Sequence, residues 1–174
     1  MSMSGMPSYN PGEGRFDAGP RPTVPSTVQR AYWLVLAAAL FHLISGIFNL
    51  IHVSSAEVLR QIENQLKGQN VPAGSAEAAQ TFSIVTVSLI TVFGLVLYIL
   101  IALFLRKGMN WARITGSVLA VISLYQLVGV GFPAGIFTIV QVVLGIAGMV
   151  LCYLAPSTRY FAEAKAFRRA NRLR

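Results

Sequence analysis

One apolar stretch of this chain carries a run of polar side chains with chemistry in them. His42, Ser45, Asn49 and His52, with Gly46 among them, recur at spacings of three and four between Tyr32 and Val53. On a helix such spacing puts them on one face. Histidine offers proton transfer or metal ligation, and the serine and asparagine offer hydrogen bonds. Inside lipid a polar stripe is either glue between helices or the wall of a pocket. Three further apolar stretches supply Thr86 and Ser88, then Gln126, then Gln141. With Asn49, each lies within about six residues, or roughly 9 Å, of the same end of its stretch. Every stretch thus contributes a hydrogen-bonding side chain to one layer, with His42 deeper, as the floor of any pocket.

Sharper chemistries fail on spacing or residue type. His42 and His52 are ten residues apart, about 15 Å along a helix, so one chain cannot bring both to one haem or metal ion. A proton relay through His42 is physically possible, but a coupled pump would lack an acidic partner, because no Asp or Glu falls within the four stretches. Cys152, the single cysteine, excludes an intramolecular disulfide and any multi-cysteine metal or redox motif; its setting is that of a small buried apolar residue. No HExxH, glycine-rich phosphate loop or Ser-His-Asp set can be assembled. The expectation is a protein that is not an enzyme, with no catalytic residue, cofactor or metal.

The elements that must position these residues follow from composition. Hydrophobic residues make up 55% of the 174 and charged residues 11%, whereas soluble domains carry roughly a quarter charged. Four stretches, about 32–53, 82–105, 111–131 and 134–155, reach the roughly 20 apolar residues that cross a bilayer. Of fourteen Lys and Arg, all but Arg60 and Lys67 fall in the N-terminal tail, at the middle connection or in the C-terminal tail. Basic residues collect on the cytoplasmic side, which gives four spans with both termini inside. Tyr32, Trp33, Trp111 and Tyr153 mark the same interface. Arg113, two residues into the third stretch, is expected to snorkel to the headgroups. The net charge of +8 flanks spans rather than forming a basic globular surface, which argues for anionic lipid and against nucleic acid. About thirty polar residues precede the first span, so it reads as an uncleaved anchor.

The fold expected is therefore an all-α integral membrane protein: an antiparallel four-helix transmembrane bundle over residues 26–156. Residues 1–25, rich in Pro and Gly, read as a disordered cytoplasmic tail, with Thr23, Ser26 and Thr27 as a candidate docking or phosphorylation segment. Ser26 and Gln29 have capping-box spacing, as do Ser54 and Glu57. Within the outer loop 54–80, Val58, Ile62 and Leu66 mark an amphipathic helix of about three turns. Phe132-Pro133 between Gly131 and Gly135 reads as a tight outer turn. Gly46, Gly116, Ala120, Ser123, Gly145 and Gly148 form candidate helix-packing faces. Residues 157–174 read as a basic amphipathic helix in the headgroup plane, with Lys165, Arg168, Arg169 and Arg172 on anionic lipid of the inner leaflet.

Gly108-Met-Asn-Trp111-Ala-Arg113-Ile and Pro156-Ser-Thr-Arg-Tyr160-Phe161 carry a resemblance. Over roughly Arg30 to Phe167 the chain resembles a loose group of small four-span membrane proteins frequent in high-GC Gram-positive bacteria. The resemblance implies a bacterial plasma-membrane protein and no particular activity. Small-residue faces, amphipathic ends and the lack of a catalytic set lead to one functional expectation: an accessory or scaffold subunit of a larger respiratory or cell-envelope assembly, with larger membrane proteins or itself as partner. The alternative is a small oligomeric transporter, channel or lipid-binding protein that uses the polar layer.

Overall fold

Hydropathy fixes the longest helices. The computed structural model describes Pro20, residues 22–128 and residues 134–172. The described residues form α1 (Ser26–Val53), α2 (Ala56–Leu66), α3 (Ser75–Arg106), α4 (Asn110–Ser123), a 3-10 turn over Leu124–Leu127, α5 (Ala134–Tyr153) and α6 (Ala155–Arg172). Three of these, α1, α3 and Gly135–Tyr153 within α5, are long and apolar enough to cross a membrane. α1 packs along both α3 and α5, whereas α4 meets its neighbours over a shorter stretch. The tail 1–19 and the turn at Phe132-Pro133 lie outside the described residues.

The core sits at one end. Val28, Ala31 and Val35 of α1 meet Ile101, Ala102 and Leu105 of α3, Ala112 of α4, Met149 and Cys152 of α5, and Tyr160 and Phe161 of α6. Cys152 is fully buried there. Tyr32, at the start of α1, lies beneath the Arg106 guanidinium at the end of α3 (5.3 Å to the ring centre), so the start of α1 and the α3–α4 connection share this end. Towards the other end the packing thins. Between Ala76 and Ile101 no residue of α3 is buried, and Phe82, Val85, Leu89, Val92 and Phe93 are exposed along it, as on a helix facing hydrocarbon.

Four local expectations are corrected. The capping residue of α1 is Pro25, with no side-chain cap. The cap of α2 is Ser55, which accepts from the Val58 N–H at 3.4 Å, while Ser54 Oγ bonds back to the Leu50 carbonyl at 2.7 Å. α3 starts at Ser75, within the segment read as loop, because Gly74 turns the chain at φ +83° and Ser75-Ala-Glu-Ala-Ala-Gln is a run of helix formers with Glu77 in the first turn. Gln80 of that early turn donates to the Val53 and Ser55 carbonyls, each at 3.0 Å, closing the end of α1. Finally, α4 stops at Ser123 rather than continuing to 131. Ser123 Oγ bonds the Ala120 carbonyl at 2.7 Å, the kind of back-bond that competes with the helix ladder.

The C-terminal helix packs its apolar face on the bundle. Its apolar residues Tyr160, Phe161 and Ala164 are buried against the α3–α4 turn and the base of α5. That turn is a Schellman motif: Met109 N–H bonds the Phe104 carbonyl (3.0 Å), Gly108 N–H bonds the Leu105 carbonyl (2.9 Å), and Gly108 is left-handed at φ +68°. Three successive carbonyls of the turn are then closed by α6. Tyr160 O–H donates to Arg106 O at 2.7 Å, and Arg168 donates to Lys107 O at 3.0 Å and Gly108 O at 2.9 Å. Ser157 Oγ, fully buried, hydrogen-bonds the Leu151 carbonyl (2.7 Å) and Thr27 Oγ1 (2.8 Å). Arg113 belongs to the same knot. Its guanidinium lies over the Tyr153 ring at 4.4 Å and the Phe161 ring at 5.4 Å.

Candidate functional site

The polar layer divides in two. On α1, His42, Ser45 and Gly46 are buried, while Asn49 and His52 are exposed. Ser45 faces Thr138 of α5, with 2.7 Å between their oxygens. α5 begins only one turn beyond Thr138, at Ala134, so further along the stripe no residue of α5 covers α1. Thr86 and Ser88 are half-buried; Ser88 Oγ returns to its own helix at the Ile84 carbonyl, 2.8 Å away.

What the structure brings together is His42, Tyr98, Gln126 and Gln141. His42 Nε2 donates to the Thr91 carbonyl of α3 at 3.2 Å. The imidazole lies 5.5 Å from the Tyr98 ring centre. Gln141, 1% exposed, donates to the Tyr98 hydroxyl at 3.1 Å and more weakly to Gln126 Oε1 at 3.5 Å. Tyr98 accepts in that contact, so its own O–H proton is available to another acceptor. Each partner is needed because an unpaired amide in hydrocarbon costs several kcal/mol. Gln141→Leu is expected to lower stability by about 1 kcal/mol, read as a lower thermal midpoint in mild detergent. An unchanged midpoint would show that Gln141 does not hold the helices together.

Close approach of α1 and α3 holds this arrangement. The two helices exchange side chains for glycines: Thr91 of α3 seats on Gly46 of α1, and His42 of α1 seats on Gly94 of α3. A Cβ on Gly94 would run into His42 Nε2 and stand 2.9 Å from Cε1. Of the remaining small-residue faces, Gly116 receives Met149 and Ile101, and Gly148 receives Val35. Gly145 differs, since a Cβ there would meet only the Tyr98 hydroxyl, at 3.9 Å.

That open space is part of a cavity of about 190 Å³ between α3 and α4, backed by α1 and α5. Its polar wall is His42, Tyr98, Ser123 and Gln126; its apolar wall includes Ile101, Leu119, Ala120 and Met149, and Gly94, Gly116 and Gly145 also line it. Ile90, Phe93 and Ile122, exposed to the surroundings of the bundle, also line it, so it opens sideways between α3 and α4. A cavity of roughly 150 Å³ holds a benzene ring.

No family model, curated protein or solved structure matches this chain.

Sequence reasoning missed Tyr98, Thr91 and Gly94. Tyr98 carried a readable signal: a tyrosine eight residues inside Arg106 is too deep for an interfacial anchor, so its hydroxyl needs an internal partner. Thr91 acts through its carbonyl and as a wedge, neither of which side-chain type discloses. Among the described residues no group of three His, Cys, Asp or Glu stands close enough to hold a metal ion.

Proposed function

We propose that this is a four-span plasma-membrane protein with both termini in the cytoplasm, acting by holding an apolar molecule in the cavity between α3 and α4 rather than by catalysis. The fourth crossing is α4 with its 3-10 extension, which rises about 29 Å against roughly 30 Å of hydrocarbon. Sidedness rests on the charges: the end of the bundle that gathers Arg106, Lys107, Arg113, Lys165, Arg168 and Arg169 is the basic one, hence the cytoplasmic one.

The observation that carries the functional reading is the cavity itself. Its wall is mostly apolar, its mouth faces lipid, and Tyr98 O–H and the Gln126 amide offer donors on its wall. The ligand class that fits is a lipid-like molecule with an apolar body and one hydrogen-bond acceptor, such as a carbonyl oxygen. Gly145→Leu tests this without disturbing the backbone, because the new side chain grows into empty space. With a phospholipid carrying a diazirine in its acyl chain, photolysis is expected to label peptides around Phe93 and Ile122 in the parent protein and much less in Gly145→Leu. Labelling spread along all exposed faces and indifferent to Gly145→Leu would refute the site. The accessory or scaffold reading expects the reverse, a stoichiometric protein partner and no retained small molecule.

A further inference from the structure

A second hollow, about 790 Å³, lies at the basic end between the α3–α4 turn and α6. Its rim carries Arg106, Lys107 and Arg168, its wall is Leu103, Phe104 and Phe167, and no described lining residue is acidic. None of the three cations takes part in an ion pair among the described residues. They are instead held in place by other means. Arg106 lies over the Tyr32 ring at 5.3 Å, Lys107 lies over the Phe104 ring at 5.4 Å, and Arg168 is anchored on two carbonyls at 3.0 and 2.9 Å. The arginine fork has five N–H donors, so Arg168 keeps three after those two bonds.

The geometry points to a binding site for one anionic phospholipid of the inner leaflet: phosphate on Arg106 and Lys107 with Arg168 behind them, and an acyl chain running up Leu103 and Phe104. Charge complementarity selects the headgroup, because three unpaired cations in a concave, partly apolar setting are worth more to an anion than the same charges on an open surface. The wall selects a lipid over a soluble anion, because it continues from the cations along the exposed Leu103 of a membrane-spanning helix. This differs from diffuse attraction through the exposed Lys165 and Arg169, which contribute nothing to the hollow. The site rests on the topology proposed above but not on the intramembrane cavity.

The test is native mass spectrometry of the full chain in mild detergent, titrated with phosphatidylglycerol, phosphatidylcholine or inorganic phosphate. One phosphatidylglycerol is expected to bind in preference to phosphatidylcholine, with no response to phosphate. Arg106→Gln with Lys107→Gln is expected to weaken it roughly 30-fold, Lys165→Gln with Arg169→Gln to change it little, and Arg106→Lys with Lys107→Arg to keep most of it. Equal losses in the two glutamine pairs, or no preference between the lipids, would overturn the site. Binding that appears only after residues 1–21 are removed would overturn it too, giving the hollow to the chain's own N-terminal segment. Labelling of Lys107→Cys by an impermeant maleimide in sealed vesicles separates a failed site from a failed topology. Access from the cytoplasmic side leaves the topology standing whatever the lipid result.

Discussion

Gly108→Ala is expected to loosen the whole basic end of the bundle, at about 2–3 kcal/mol. Two independent effects add there. The residue holds φ at +68°, a conformation that costs an L-residue with a side chain roughly 1–2 kcal/mol. The added methyl would also stand 2.7 Å from Ala164 Cβ and 3.0 Å from the Tyr160 ring, and both belong to the buried face of α6. The chain can relieve the overlap only by moving α6 away, which breaks the bonds from Tyr160 and Arg168 to the turn carbonyls. The expected result is a lower thermal midpoint together with faster proteolysis after the α5–α6 joint. A Gly108→Ala variant as protease-resistant as the parent would show that α6 is not docked as described.

Gly46→Ala is the second large effect, at about 2 kcal/mol. A Cβ at this position would lie 2.5 Å from Thr91 Oγ1 and 3.0 Å from Thr91 Cβ. Threonine on a helix has few χ1 choices, and its Cβ cannot move without the backbone, so α1 and α3 must separate. Separation lengthens the His42 bond to the Thr91 carbonyl, so the same change disturbs the polar wall of the cavity. Gly145→Ala is the internal control, because only the Tyr98 hydroxyl stands near its Cβ; it is expected to be neutral or stabilising by up to about 1 kcal/mol. Equal thermal midpoints for the two variants would contradict the glycine exchange between α1 and α3.

Periodicity and hydropathy disclosed the helical class and the three longest helices, since a run of apolar residues with no charge has few other uses. They did not disclose where α4 gives way to a 3-10 turn, at Ser123. The basic amphipathic pattern of residues 157–174 fits a lipid surface and a protein surface equally well. Gly108 admits Tyr160 and Ala164 close to the turn, so the apolar face of α6 packs on protein, and no pattern in α6 itself reports that. Within the site, His42, Ser45 and Gln141 were legible as polar residues in apolar company. Asn49 and His52 share their face on α1 but outrun the helix that would cover them, and such ends depend on tertiary geometry. Gly94 and Thr91 were not legible, because their roles are a missing side chain and a backbone oxygen.

The most direct test of the cavity reading is the mass of the protein released from mild detergent in the gas phase, compared between the parent and Gly145→Leu. The reading predicts a small apolar molecule retained by the parent at one per chain and lost from Gly145→Leu, with α-helical content unchanged. An empty parent chain travelling with a stoichiometric larger protein would contradict it and return the weight to an accessory subunit.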